Sequence, residues 1–308
     1  MTDGGARAVS RAALDMAAAA QLACLLEVSA PKPGNVSPGR RFDDIGYEDF
    51  LASAAAIGGP LASAGDRPLG ATIRLAVEAT AAWTTSNTNL GIILLLAPLV
   101  RAAVIEPVPE TAAGLREYVR RVLDATTVED AREVYAAIRL AAPGGLGRAA
   151  AEDVAGEPTV TLVDAMRLAS GRDSIAREYA TGFAITFEIA APALEHARRD
   201  GLSWNAAIVE TFLHVLAATP DTHIARRAGE PLAVEVSYEA QSVLAAGGVR
   251  TTQGRAAIDD LDLALRSGEP GNLANPGTTA DLTAAAIFVV LAGGGWTLAH
   301  GGHDAATR

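Results

Sequence analysis

Along the chain, apolar residues run in alanine- and leucine-rich stretches without sustained two-residue alternation. Proline and glycine gather between these stretches, at intervals of roughly 20 to 30 positions. That pattern has the punctuation of helices rather than of strands. It predicts helices near residues 7–28, 47–64, 68–85, 89–103, 110–124, 128–140, 160–169, 173–199, 203–217, 232–246, 252–266 and 279–298. The expected fold is therefore all-α, about twelve helices in one globular domain over residues 1–308, with strand below about 5%. Two segments, NLGIILLLAPLV and LTAAAIFVVLAGGGWTLA, are apolar on every side. The first is too short to span a bilayer. The second carries three consecutive glycines and no flanking basic cluster, so both are expected as buried core helices.

Composition narrows the function classes. The 308 residues carry 36 acidic and 25 basic side chains, a formal net charge of -11. Such a balance disfavours nucleic acid and anionic membrane surfaces as partners. The lone cysteine, Cys24, lies in the apolar run AAAAQLACLLEV, which excludes an internal disulfide or a thiolate cluster and reads as a core position. An Asp interrupts the apolar part of the first twenty residues, unlike a secretory signal, and a cytoplasmic location is expected. The five histidines show no metal-ligand spacing, and His300 and His303 sit in a glycine-rich tail.

Five polar interruptions remain as places where a ligand could be held. PKPGNVSPGRR, residues 31–41, combines stiffening prolines, a permissive Gly34 and three cations, Lys32, Arg40 and Arg41. It is either a phosphate-holding loop or a solvated connection between helices. TTSNTNLG places Asn87, Thr88 and Asn89 directly before an apolar helix, as caps or as ligand contacts. APGGLGRA lacks the spacing and the preceding strand of a dinucleotide fingerprint. In SGRDSIAREYATGF, Asp173 and Arg177 are four apart, the spacing of an exposed helical salt bridge. In NPGTTADLTAAAIF, Thr278 and Asp281 have capping-box spacing, which leaves Asn275 unexplained. PDTHIARRAG adds one acid, Asp221, and two cations, Arg226 and Arg227, in a short space.

Taken in order, Glu27, PKPGNVS, YEDFLAS, NTNLG, GRDSIAREYATGF, PDTHIARRAG and NPGTTADLTAA resemble the motifs of the triphosphoribosyl-dephospho-CoA synthase family. The resemblance spans about residues 12–292. Asn89 and Leu90 stand where members of that family read His-Lys, and no histidine falls near residues 40–49, which marks a divergent branch. The resemblance implies an all-α transferase that moves the triphosphoribosyl group of ATP to the 2′-hydroxyl of 3′-dephospho-CoA, or of a related acceptor, with release of adenine. A non-catalytic accessory protein that binds a nucleotide or a partner on the same scaffold is the alternative.

Displacing adenine from an anomeric carbon needs a base for the attacking hydroxyl and an acid for the leaving purine, and carboxyl groups serve both needs. Glu27, Asp44, Asp173 and Asp281 are the catalytic candidates. Lys32, Gly34, Asn35, Ser37, Asn87, Thr88, Asn89, Arg172, Asp221, Arg226 and Asn275 are expected to bind substrate. ATP is the implied substrate, and Mg²⁺ is expected with it, held by Asp43 and Asp44 together with phosphate oxygens. Small-molecule nucleotides are the expected partners, and a homo-oligomer is compatible with the sequence. Lys32, Asn35, Asn87, Asp173, Asp221 and Asn275 are expected to line one cleft, with PKPGNVSPGRR as its phosphate-holding lip.

Overall fold

The computed structural model describes residues 10–267 and 274–296. Helix α1 (Arg11–Ser29) starts where the Ser10 hydroxyl accepts the Ala13 amide. The chain continues through α2 (Tyr47–Ala56), α3 (Gly58–Ala62), α4 (Leu69–Ala81), α5 (Leu90–Ala103), α6 (Ala112–Asp124) and α7 (Val128–Ala141). Then come α8 (Leu162–Ala169), α9 (Ser174–Thr181), α10 (Ala191–Arg199), α11 (Trp204–Ala218), α12 (Thr222–Ala228), α13 (Glu230–Ala245), α14 (Thr252–Ser267) and α15 (Gly277–Ala292). No strand forms among the described residues. The sole β-type pairing there is a single bridge between Ser37 and Arg40.

Helices α1, α5, α11 and α15 pack on one another at the centre. Twelve of the fourteen residues of α5 are buried, which is why that helix has no polar face. Its counterpart α15 is equally apolar, so both segments that could have suggested a membrane are core helices. By length and composition alone α1 could also cross a membrane. Here it packs against α2, α3, α5 and α15, with Cys24 buried among them. The remaining helices surround this centre, and one hydrophobic cluster runs from Ala17 to Val290.

Three departures from the predicted elements have local causes. The helix expected over 47–64 is two, α2 and α3, which meet at Ile57. The helix expected over 173–199 stops at Thr181, because Gly182 turns left-handed (φ 63°) and Phe183 follows it (φ 61°). The buried Glu178 carboxylate accepts the Ile185 and Thr186 amides at 2.8 and 2.9 Å, satisfying groups that the break would orphan. A π-helical turn, Thr186–Ala190, then leads into α10. The third departure is PDTHIARRAG, where no helix was expected and which forms the short helix α12. The predicted helix 279–298 begins at Gly277 and ends at Ala292, before the triple glycine. His300 and His303 lie outside the described residues.

Candidate active site

A cavity of about 610 Å³ opens where the C-terminal ends of α1 and α7 meet the first turns of α5, α9 and α15. That volume is in the range of small-molecule sites. Amide-rich helix starts give the wall a partial positive charge. Its lining includes apolar side chains, among them Ile138, Leu146, Val154, Leu162 and Met166, and polar ones, among them Glu27, Asn35, Asn87, Asn89, Asp173, Arg226, Asn275 and Asp281.

Glu27 sits in the last turn of α1. The next turn of chain, stiffened by Pro31 and Pro33, folds Lys32 back beneath it, and the Lys32 ammonium lies 2.9 Å from Glu27 Oε1. The same ammonium donates to the Glu27 carbonyl and, at 3.3 Å, to the Ala30 carbonyl. Three donors are thus satisfied and Lys32 is fully buried (0% exposed). The expected phosphate contact at Lys32 is corrected accordingly, since this side chain lies behind the cavity wall and braces Glu27. Asp281, one turn into α15, faces the cavity beside Glu27. Its carboxyl is pushed well above the usual range by burial first, then by the Glu27 and Asp221 carboxylates, against the pull of Arg226. The NTNLG segment must pass over it without a side chain, because a Cβ on Gly91 would lie 2.0 Å from Asp281 Oδ2.

Asp173 caps α9 by accepting the Ala176 amide at 3.0 Å. Its other oxygen takes Arg226 Nη1 at 2.6 Å, so its partner is Arg226 and not Arg177, which donates instead to the Ser170 carbonyl. Asp221 does not line the cavity. It caps α12 through the His223 and Ile224 amides, and its second oxygen accepts the Thr279 amide and hydroxyl, both at 2.7 Å. This one carboxylate joins two helix starts and replaces the capping box expected between Thr278 and Asp281. Burial pushes the Asp221 carboxyl upward, against these hydrogen bonds.

The PKPG loop is docked on α14. Gly34 donates its amide to Asp262 Oδ1 at 2.8 Å, and Arg266 bridges Asp262 and the Asn35 carbonyl. Gly34 has φ 71°, and a Cβ there would come within 2.9 Å of Leu265 and Pro276. Glycine is needed for helix packing, not for approach to a ligand. The Asn35 side chain reaches the cavity and donates to Asn275 Oδ1 at 2.8 Å, joining the first and last polar segments. Ser37 is buried away from the cavity. Asn87 accepts the Leu90 amide at 3.2 Å and Thr88 shares a hydrogen bond with Ser53, whereas Asn89 is one of the lining residues and its buried side-chain nitrogen has no partner. Asp44 borders the cavity and Asp43 does not. No three His, Cys, Asp or Glu side chains converge as a metal cage among the described residues.

Of the six residues expected in one cleft, Asn35, Asn87, Asp173 and Asn275 line it, and Lys32 and Asp221 stand behind it. Arg172 lines it as well. Arg227, noted beside Arg226 in PDTHIARRAG, lines it too, and among the lining residues that went unnoticed as candidates is His223. Burial, then the Arg226 and Arg227 cations, push the His223 imidazole down to about 4, so it is neutral at physiological pH. It rests on the NPG turn, where a Cβ on Gly277 would lie 2.4 Å from Nδ1. Its place two residues after the capping Asp221 was the available signal.

The chain is similar to proteins of one family. The model of the CitG family, ATP:dephospho-CoA triphosphoribosyl transferase, matches residues 13–299. A 2-(5''-triphosphoribosyl)-3'-dephosphocoenzyme-A synthase from Klebsiella pneumoniae is 37% identical over 118 residues, 37% of this chain and 40% of that protein. The match thus spans less than half of the Klebsiella protein. A Pseudomonas syringae pv. tomato protein provisionally given the same name is 31% identical over 244 residues, 78% of this chain and 72% of its own length. A crystal structure of an Archaeoglobus fulgidus protein, provisionally named triphosphoribosyl-dephospho-CoA synthase, superposes with a TM-score of 0.61 at 29% identity, covering 79% of this chain and 99% of the other. With the family model matched along nearly its whole length, this chain belongs to the ATP:dephospho-CoA triphosphoribosyl transferase family.

Proposed function

We propose that the protein transfers the triphosphoribosyl group of ATP to the 2′-hydroxyl of 3′-dephospho-CoA, or of a closely related acceptor, and releases adenine in the cytoplasm. In this reaction the bond from the anomeric carbon to the purine nitrogen breaks and a bond to the acceptor oxygen forms. The acceptor hydroxyl loses a proton, and adenine gains one. The observation that carries the reading is the pairing of Glu27 and Asp281 on one cavity wall, two carboxyl groups in opposed environments. Glu27, braced by the Lys32 ammonium, takes the acceptor proton. Asp281 holds its own proton more tightly than an ordinary carboxyl and gives it to the leaving purine.

Asn35, Asn89 and Asn275 supply amides for ribose or base, and His223 supplies a neutral imidazole. Mg²⁺ fits as a companion of the phosphates, which asks for one or two carboxylates rather than a cage; Asp44 is the side chain suited to hold it. That ion would neutralise phosphate charge. Family membership weighs against the accessory reading.

The test is direct. Purified protein with ATP, Mg²⁺ and 3′-dephospho-CoA should release adenine in step with a product carrying the triphosphoribosyl group. Glu27→Gln and Asp281→Asn should each slow this by about 10² to 10⁴. A reaction mixture in which no adenine appears ends the proposal.

A further inference from the structure

The basic side chains of the PKPG loop are turned to contacts within the protein or to solvent. Lys32 is saturated by Glu27 and two carbonyls. Arg40 lies 3.2 Å from Asp262 and 4.0 Å from Asp259, and Arg41 donates to the neighbouring Phe42 carbonyl. None of the three lines the cavity. The cations that do line it are Arg172, Arg226 and Arg227, the full set of Lys and Arg among the described lining residues.

These arginines have unused capacity. Arg226 gives one Nη to Asp173, but its Nε is buried and has no acceptor. Arg172, which is exposed, and Arg227, which is half-buried, form neither an ion pair nor a side-chain hydrogen bond among the described residues, so both guanidinium groups are free to meet a ligand. A buried guanidinium donor without an acceptor costs free energy until something accepts it. The glycine-rich turn after α7, which matched no nucleotide motif, sits against this corner. Gly145 has φ 75°, and a Cβ there would lie 3.1 Å from the Arg226 carbonyl oxygen and 3.3 Å from Arg227 Cγ, so the turn holds the stem of Arg227 in place.

We infer that the triphosphate of the nucleotide donor is bound by Arg172, Arg226 and Arg227, at the seam between the start of α9 and the end of α12, and that the PKPG loop makes no phosphate contact. The identity of the ligand rests on the transfer reading above; the anion site rests on the arginines themselves. Guanidinium forks match pairs of phosphate oxygens, and three of them in the lining of one cavity suit a polyphosphate better than a single carboxylate. Asp173, already bonded to Arg226, fixes the orientation of the central fork.

Calorimetric titration of the full chain with inorganic tripolyphosphate, and separately with ATP, tests the assignment. Arg172→Gln and Arg227→Gln should each weaken both ligands roughly ten- to hundredfold, the loss of one charge-assisted contact. Arg41→Gln should leave both affinities unchanged. Neither cavity arginine has a partner whose loss would threaten folding, and circular dichroism of the variants checks this. Unchanged affinity in both cavity variants, an equal loss in Arg41→Gln, or a wild-type protein that binds neither probe overturns the assignment. Adenine release is read separately. Arginine-dependent tripolyphosphate binding without adenine release fails the transfer reading and keeps the anion site; adenine release with unaltered affinity in the variants does the reverse.

Discussion

Two carboxylate–cation pairs flank the cavity, and they differ in nearly every physical respect. Glu27 and Lys32 are almost wholly dry, at 5% and 0% side-chain exposure; Asp173 and Arg226 keep 23% and 22%. In the first pair every ammonium donor has an acceptor, and in the second a guanidinium nitrogen has none. A dry, saturated pair gives fixed geometry, because its ions have nowhere else to go. A half-open pair with a vacant donor gives affinity, because a ligand supplies what is missing. On the anion-site assignment proposed above, residual hydrogen-bonding capacity, and not charge near the cavity, decides which cation meets the triphosphate.

Breaking the dry pair should have the largest effect on stability. Lys32→Met leaves a buried carboxylate alone and should cost about 3 to 5 kcal/mol in urea unfolding. Adding Glu27→Gln should restore much of it, and a single variant as stable as wild type would mean that the pair is open to water. Next come the glycines of the same loop. Gly34→Ala forces both a left-handed backbone and a clash with α14, about 2 to 4 kcal/mol. Gly39→Ala has φ 77° but nothing within 4 Å of the new Cβ, and should cost only about 1 to 2 kcal/mol. Equal losses at the two glycines would show that the loop is not docked on α14. Breaking the half-open pair by Asp173→Asn, which keeps a capping oxygen, should cost under about 1 kcal/mol in unfolding while lowering adenine release.

Asp281→Asn differs from these variants in direction, since it should stabilise the protein, and by an amount that grows with pH. The folded carboxyl binds its proton more tightly than the unfolded one, so its contribution is fully present below the unfolded value, about 4, and is lost as pH rises through the folded value. The variant escapes that loss. Thermal melts of the two proteins should coincide near pH 4, and the variant should melt higher as pH increases. A gap that is the same at every pH would remove the case for a strained carboxyl.

Local chemistry made most of the helices legible. Alanine- and leucine-rich runs between proline and glycine clusters marked α4 to α7, α11 and α14 within a few residues. What stayed hidden depended on partners distant in sequence. Gly182 was visible, but its power to end α9 depends on Glu178 taking two amides beyond it. Asp221 read as a ligand-facing acid because Thr279, 58 positions on, was not known to be its neighbour. Asn35 and Asn275 were recognised as polar outliers, and only folding joins them. Lys32 misled for the opposite reason. Its partner is five residues away, and burial, which a sequence does not print, decided between phosphate and Glu27.

Cys24 lies one turn before Glu27, at 5% exposure, and burial holds its thiol far from the thiolate range. Burial should make it slow to react with alkylating reagents in the folded protein. A thiol probe should therefore react mainly when α1 opens from the helices packed on it, so the rate of modification of this lone cysteine times the opening of the helix that carries Glu27. Ligand held in the cavity should slow that clock.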